Sequence, residues 1–172
     1  MNFLELAEDR YSVRSYSNKP IEEEKMKRIL KAAQLAPTAV NYQPQKIYIL
    51  KSQEALSKIR SLTNATYNAP IVFLICLDET KTWKSSFEKG YTTSEMDVSI
   101  VCTHMMLEAW ELGIGSVWVR LFDSKEVSEV FNLSKHIIPR CLLPIGYPSE
   151  NSKPYASWHF VYRDIEDFTE EL

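Results

Sequence analysis

Two arginines and a serine alternate near the start of the chain, in the stretch Arg10-Tyr11-Ser12-Val13-Arg14. Alternate side chains of an extended segment point to the same side, so Arg10, Ser12 and Arg14 are expected to converge. Two guanidinium groups and a hydroxyl provide the hydrogen-bond donors that a phosphate group requires. A solvated edge strand explains the same spacing equally well. This motif alone therefore leaves a phosphate site and a purely structural strand both open.

The other residue types with chemical potential show no motif spacing. The glycines at 90, 113, 115 and 146 do not form a dinucleotide-binding or Walker loop. The histidines at 104, 136 and 159 share no metal-ligand spacing with a cysteine or a carboxylate, and no serine lies in a GxSxG elbow. We therefore expect no metal site, and we expect a cofactor to carry any demanding chemistry.

The composition is that of a globular domain without a nucleic-acid or membrane partner. The chain has 172 residues, a hydrophobic fraction of 45% and a net charge of -3, which fits one domain with its own core. No Lys/Arg block is longer than a pair, which argues against nucleic-acid binding. No apolar run reaches the roughly 18 residues of a membrane span, and Met1–Arg10 lacks the apolar region of a signal peptide.

The cysteines indicate a reducing compartment. Cys76, Cys102 and Cys141 are odd in number, far apart and each set in an apolar stretch. Buried free thiols in the cytoplasm are the expected state, and a reactive cysteine is the alternative. We therefore expect a cytoplasmic protein.

Hydrophobic periodicity and capping residues predict a mixed helix and strand order. Asn2 and Glu5 resemble a capping box, and Pro37 is expected to end the helix that follows Glu22. The continuous apolar run 71–77 predicts a central strand that is buried on both faces. Further helices are expected at 3–10, 54–62, 95–112 and 124–131 (with Ser124 as N-cap), and further strands at 47–50, 116–119 and 141–145. This order lacks regular βαβ alternation, so it predicts an α+β fold.

Two segments are more apolar than a monomer of this size requires. The helix over 95–112 is apolar nearly all round, so we expect it to be half buried in a partner. The tail 149–172 is rich in aromatic residues without helical spacing, so it should cover something. We treat 1–172 as a single domain whose C-terminal extension, 149–172, packs on a partner subunit.

Four motifs occur in order between residues 10 and 148. The stretch 10–16 resembles the R-x-S-x-R-x-[FY] signature that opens the nitroreductase family, and 35–44 (LAPTAVNYQP) is similar to that family's A-P-S-x-x-N-x-Q-P motif. The stretch 111–118 (ELGIGSVW) resembles its E-x-G-[LI]-G-[ST]-x-W turn, and 143–148 (LPIGYP) resembles its [LV]-P-[IV]-G-[YF]-P strand. Each motif is moderately specific, and their order along almost the whole chain makes the resemblance strong.

The resemblance implies an α+β nitroreductase-like fold with a central, mostly antiparallel sheet flanked by helices. It further implies an intertwined homodimer that binds FMN in clefts between the subunits. Arg10 and Ser12 would hold the phosphate end, and Arg14 would meet the N1/O2 edge of the flavin. The second motif would come from the other subunit. The full set assigned to FMN in this way is Arg10, Tyr11, Ser12, Arg14, Pro37, Thr38, Ala39, Asn41, Gln43, Trp118, Val119, Arg120 and Arg163.

The activity implied by the resemblance is transfer of hydride from NADH or NADPH, through flavin N5, to a nitroaromatic, quinone or similar small planar oxidant. The aromatic loop with Trp83, Phe87 and Tyr91 is expected to shape the substrate pocket. One alternative is a flavin-binding protein that holds or consumes FMN, or reduces one special substrate, without general turnover. Another alternative is a dimeric interaction domain that has lost flavin.

Five positions depart from the family pattern or leave its assignment open, and one of them is Tyr11, which replaces the common second basic residue. Gln45 stands where an aromatic residue or histidine is common, which puts the shape of the adjoining pocket in doubt. Arg120 would either steer an anionic substrate or the phosphate of NAD(P)H, or remain a solvated loop residue. Arg163 is the first candidate for a C-terminal phosphate ligand, and Lys153 is the second.

Overall fold

The computed structural model describes residues 2–172 and contains one four-stranded sheet in the order β1-β2-β4-β3. The strands are β1 (Gln45–Leu50), β2 (Ile71–Asp78), β3 (Gly115–Ser116) and β4 (Ile137–Gly146). Each neighbouring pair is antiparallel, with one irregularity in register between Ile75 and Cys76. The α+β class and the antiparallel sheet expected from the sequence are confirmed.

Strand β2 lies in the interior of the sheet because its residues are apolar on both faces. Phe73, Ile75 and Leu77 point into a core shared with helices on one side. Val72, Leu74 and Cys76 point into a second core on the opposite side. The sheet is therefore covered on both faces, as the unbroken apolar run 71–77 predicts.

Residues 2–172 contain six α-helices, four of which pack on the sheet. They are α1 (Phe3–Asp9), α2 (Glu23–Leu35), α3 (Gln53–Leu62), α4 (Ser94–Glu111), α5 (Ser124–Val130) and α6 (Ala156–His159). Helices α2 and α4 pack on the first core, and α3 and α5 pack on the second.

The helix ends follow their capping residues. The capping box of Asn2 and Glu5 is present, since each side chain accepts a hydrogen bond from the other's backbone N–H. The expected N-cap of α5 was wrong by one residue. The Asp123 carboxylate accepts hydrogen bonds from the N–H groups of Lys125 and Glu126, whereas the Ser124 hydroxyl donates to the Pro139 carbonyl.

Strand β3 is shorter than expected and β4 is longer. Instead of running over 116–119, β3 ends at Ser116, and Val119 makes a separate antiparallel bridge to Leu142. Strand β4 begins at Ile137 because its first half pairs with the far end of β2, where Asp78 lies opposite Ile137.

The remaining general expectations concern the thiols and membrane spans. Cys76, Cys102 and Cys141 are free and fully buried, as expected. In the described range 2–172, no helix combines the length and apolarity needed to cross a lipid bilayer.

Candidate functional site

The arginine-serine segment is held against the sheet as an added edge. The Val13 N–H donates to the Ser116 carbonyl (2.9 Å), and Ser12 pairs with Ser116 in parallel orientation. Tyr16 pairs with Pro148 beyond the end of β4. The segment is therefore an extended stretch joined to the edge of the sheet by isolated bridges and not a regular strand.

Two glycines allow this close approach. A Cβ on Gly115 would lie 2.5 Å from Val13 Cγ2, and a Cβ on Gly146 would lie 2.8 Å from Tyr16 Cδ1. Any other residue at these positions would push the N-terminal segment away from the sheet. Three of the four sequence motifs thus meet in one place, and glycine is required there for steric reasons.

A small cavity opens on the side chains of this segment. It has a volume of about 140 Å³. Its lining residues are Arg10, Tyr11, Ser12, Arg14, Tyr155, Trp158 and His159. The two arginines and the serine therefore converge, and the C-terminal tail supplies the opposite wall.

The Arg14 guanidinium lies among aromatic rings. Its Cζ is 5.0 Å from the ring centre of Tyr155 and 5.9 Å from those of Tyr67 and Trp158. One of its NH groups also donates to the Ser12 carbonyl (3.2 Å). Cation–π contacts of this kind hold a guanidinium in place without neutralising its charge.

Arg10 is half-buried and carries an uncompensated positive charge. Burial lowers the pKa of its guanidinium, and Tyr162 acts in the opposite direction. A guanidinium remains protonated in proteins despite such a shift. Among residues 2–172, none of the ion pairs involves Arg10 or Arg14. Two unpaired cations and a hydroxyl facing one cavity fit a bound anion.

The C-terminal tail is attached to the same segment. The Tyr11 hydroxyl donates to the Ser152 hydroxyl (3.1 Å), and the Tyr11 ring packs edge-on against Trp110 with centroids 5.1 Å apart. Residues 152–159 thus pack on the N-terminal segment of the same chain. The residues from Phe160 onward are exposed, and their packing on a partner remains a prediction.

The second motif lies outside this cavity. Residues Ala39–Asn41 form a single 3₁₀ turn, and Val40 and Tyr42 are exposed. Within the described part of the chain, the lining of the cavity includes no residue from 37 to 43. Pro37, Thr38, Ala39, Asn41 and Gln43 are therefore not brought to the arginines within one subunit.

The third motif presents its backbone and one side chain at the edge of the sheet. Trp118 is 40% exposed, whereas Val119 is buried in the core. Arg120 does not line the cavity; it donates to the Phe122 carbonyl (2.9 Å) and the Ser124 hydroxyl (3.2 Å). Arg120 also lines a separate open groove that includes Arg60.

The remaining candidate residues are not part of the cavity. Arg163 donates to the Asp167 carbonyl within the tail and lies over the Phe168 ring. Phe87 is fully exposed, and the Tyr91 hydroxyl donates to the Met96 sulfur (3.9 Å). Assignment of Arg163 to a phosphate, and of the loop 83–91 to a substrate, stays a prediction.

Sequence reasoning did not assign Tyr67, Tyr155, Trp158 or His159 to the site. The aromatic character of the tail was the available signal, but it did not say which surface the tail covers. Tyr67 carried no signal, because it lies far from Arg14 in sequence and contacts it only through the fold.

A protein-family model and two solved structures match this chain over most of its length. Residues 7–66 and 60–147 match the model of a family described as the nitroreductase family. The crystal structure of a nitroreductase family protein from Clostridium difficile 630 superposes with a TM-score of 0.91 at 37% identity, covering 100% of this chain and 99% of the other. An FMN-dependent nitroreductase from Clostridium difficile R20291 superposes with a TM-score of 0.73 at 28% identity, covering 89% and 91%.

A sequence relative from Methanothermobacter thermautotrophicus is 31% identical over 158 residues, which is 88% of this chain and 80% of the relative. That protein is named as a candidate NADH dehydrogenase/NAD(P)H nitroreductase.

Proposed function

The chain belongs to the nitroreductase family and is an FMN-dependent NAD(P)H oxidoreductase; we propose that it reduces a nitroaromatic, a quinone or a similar small planar oxidant. The observation that carries the cofactor assignment in this chain is the cavity with Arg10, Ser12 and Arg14. Its two guanidinium groups lack a counter-ion among the described residues.

The cavity fits the phosphate end of FMN and not the whole molecule. Its volume of about 140 Å³ is well below the roughly 300–1,000 Å³ of pockets that enclose a complete ligand. Arg10 and Ser12 offer donors to a phosphate there, and Tyr11 lines the same cavity. The rest of the cofactor would extend along the open edge of the sheet toward Trp118.

When bound, FMN supplies hydride acceptance and hydride donation. The protein supplies orientation and electrostatics. Arg14 contributes a fixed positive charge that the surrounding aromatic rings do not neutralise, and such a charge stabilises negative charge that develops nearby. Trp118 offers an exposed aromatic surface at the same edge, which suits planar ligands.

Completion of the site requires a second copy of the chain. The loop 37–43 is exposed and lies outside the cavity, so in a homodimer it would close over the cofactor of the partner. An apolar groove of about 700 Å³ between α1, α2 and α4 provides a surface for such an association. Phe3 and Leu35 border it and are 66% and 68% exposed, so they extend the apolar surface of the groove, and contiguous apolar surface is what marks an interaction site.

We further propose that the site extends beyond the cavity to the C-terminal tail and the aromatic loop 83–91. We assign the residues from Phe160 to the C-terminus to the surface that meets the partner, and Arg163 within them to the FMN phosphate. We assign Trp83, Phe87 and Tyr91 to the outer wall of the substrate pocket. The whole chain, 1–172, acts as one domain in this arrangement.

An absorbance spectrum of the purified protein, followed by anaerobic titration with NADH and NADPH, tests the proposal. Flavin bands that bleach with one nucleotide establish the reductive half-reaction. The reduced flavin is then reoxidised by a nitroaromatic or a quinone. Comparison of this rate with the rate of reoxidation by dioxygen tests the oxidant class. If neither nucleotide reduces the bound flavin, the protein holds flavin without acting as a reductase. Failure to bind added FMN would overturn the cofactor assignment.

A further inference from the structure

The loop 38–43 has an unusual backbone. Val40 has φ 46° and ψ 26°, and Asn41 and Gln43 have φ values of 57° and 48°. Positive φ is tolerated by asparagine but is a genuine outlier for a β-branched residue such as valine. Conformations of this kind cost about 1–3 kcal/mol each and persist only when surrounding contacts impose them. Some contact must therefore hold this loop.

Hydrogen bonds within the loop account for part of its shape. The Thr38 hydroxyl accepts from the Gln43 N–H (3.0 Å), and the Gln43 amide donates to the Asn41 side-chain oxygen (3.2 Å). The Ala39 carbonyl accepts from the Tyr42 N–H (3.1 Å). These bonds close the turn on itself, but they do not fix its position relative to the rest of the molecule.

Asp97 connects the loop to the core. Its side chain projects from the first turns of α4 and is only 3% exposed. One carboxylate oxygen accepts a hydrogen bond from the Ala39 N–H (2.9 Å), and the other accepts from the Thr93 hydroxyl (2.7 Å). Ala39 is 58 residues away in sequence, so this bond joins the loop to a different element.

A buried carboxylate that is not paired with a cation must be stabilised by other groups. None of the ion pairs in the range 2–172 includes Asp97. Burying an ionised carboxylate is costly unless hydrogen bonds satisfy it. The Ala39 N–H, the Thr93 hydroxyl and the N-terminal end of α4 provide that compensation. The two hydrogen bonds engage both carboxylate oxygens, so the buried side chain can act as an anchor for the loop.

We propose that Asp97 is a positioning residue, whose carboxylate holds the loop 38–43 in the left-handed conformation that closes the flavin site of the second subunit. This inference rests on the proposed function, because that function gives the loop its role. Asp97 does not itself reach the cavity at Arg10, so its effect on flavin binding would be transmitted through Ala39.

The test compares three variants of the purified, flavin-loaded protein. Asp97→Ala removes the anchor. Asp97→Asn keeps an acceptor oxygen for Ala39 and presents its NH₂ group to the Thr93 oxygen. Val101→Ala is a matched control, because Val101 is also fully buried on α4 and lies one turn further along.

Two measurements separate anchoring from simple loss of stability. Hydrogen exchange of the Ala39 amide reports on the anchor directly and does not depend on turnover. The dissociation constant for FMN reports on the closed loop. Loss of a hydrogen bond to a charged group corresponds to about a tenfold change or more. We therefore expect Asp97→Ala to speed Ala39 exchange and to weaken FMN binding by at least that factor, and Asp97→Asn to retain most of both properties.

The outcomes distinguish this inference from the proposed function. Unchanged Ala39 exchange in Asp97→Ala would overturn the inference even if the protein binds and reduces flavin normally. Equal weakening of FMN binding in Val101→Ala would also overturn it, since general destabilisation would then explain the effect. A wild-type protein without FMN affinity would overturn the proposed function, and Ala39 exchange would still decide whether Asp97 anchors the loop.

Discussion

Gly115 and Val13 approach each other so closely that a Cβ on the glycine would lie 2.5 Å from Val13 Cγ2 and 2.8 Å from Val13 Cβ. Val13 is fully buried, and its N–H donates to the Ser116 carbonyl, so it cannot move without breaking the edge of the sheet. The side chains that flank Val13, Ser12 and Arg14, both line the cavity. Packing at this glycine therefore determines where Ser12 and Arg14 lie, the side chains assigned to the phosphate and to the N1/O2 edge of the flavin.

Gly115→Ala should destabilise the fold and weaken FMN binding together. Inserting a methyl group into a closely packed site costs about 1–3 kcal/mol, and here it displaces the segment that carries Ser12 and Arg14. Urea denaturation and a flavin titration measure the two effects. The double variant with Val13→Ala should lose less than the sum of the single variants, because the contacts with both Val13 Cγ atoms are removed and only the 2.8 Å contact with Val13 Cβ stays. Simple additivity would show that the contact with Val13 is not the cause.

Removal of either arginine should weaken FMN binding without unfolding the protein. Charge-assisted hydrogen bonds are worth about 1.5–3 kcal/mol, so Arg10→Met or Arg14→Met is expected to raise the FMN dissociation constant by roughly tenfold or more. Lys58→Met is the control, because the Lys58 side chain is 43% exposed and pairs with Glu54 within α3, away from the proposed dimer groove. If all three variants bind FMN alike, the cavity is not the phosphate site.

The buried thiols should resist alkylation in the folded protein. Cys76, Cys102 and Cys141 are fully buried, so iodoacetamide at pH 8 should modify all three only after unfolding in urea. Mass spectrometry counts the modified thiols. Rapid modification of a thiol in the native protein would show that one of them reaches solvent and is available for chemistry.

Alkaline pH should destabilise the fold through Cys76. Burial raises the pKa of the Cys76 thiol to about 12, with a further contribution from Cys141 and an opposing one from Arg140. An unfolded thiol ionises near pH 8.5. The stabilisation from keeping the thiol neutral is therefore complete below about pH 8.5 and is lost as pH rises toward 12. Urea midpoints at pH 7 and pH 10 should differ less in Cys76→Ala than in the parent protein.

Replacement of Val40 by asparagine should relieve backbone strain. Val40 holds φ at 46°, where asparagine is tolerated and valine is not, so Val40→Asn is expected to stabilise the fold by about 1 kcal/mol. Leu121→Asn is the control, because Leu121 is 70% exposed against 66% for Val40, is not among the residues with positive φ and lies outside the proposed partner surface. Equal effects at both positions would remove strain as the explanation. Urea denaturation gives the comparison.

The regular elements were largely predictable because their patterns are local. The unbroken apolar run of β2 required a strand buried on both faces, and the capping box at Asn2 placed the start of α1. The errors occurred where a tertiary contact determines the end of an element. Strand β4 extends back to Ile137 only because Asp78 at the end of β2 is there to pair with it, and no pattern within 137–140 shows this.

The site was predictable in its N-terminal half and not in the residues that surround it. Alternation along 10–14 and the family motifs indicated the arginines and the serine. Tyr155 and Trp158 reach Arg14 only because the tail returns across the edge of the sheet. The left-handed backbone of Val40 could not be read from the sequence either, since valine disfavours it and the anchor at Asp97 lies 58 residues from Ala39.

The segment 10–16 is bound almost entirely by residues that follow it at great distance along the chain. Its bonds to Pro144, Ser149 and Ser152 span 128, 134 and 141 residues. A ribosome adds about 5–20 residues per second, so the arginines emerge on the order of ten seconds before their partners. Contacts of such long range form late in folding. The phosphate site on segment 10–16 is therefore completed only after nearly all of the sheet has been synthesised. A nascent chain consequently cannot use the cofactor to guide its own folding.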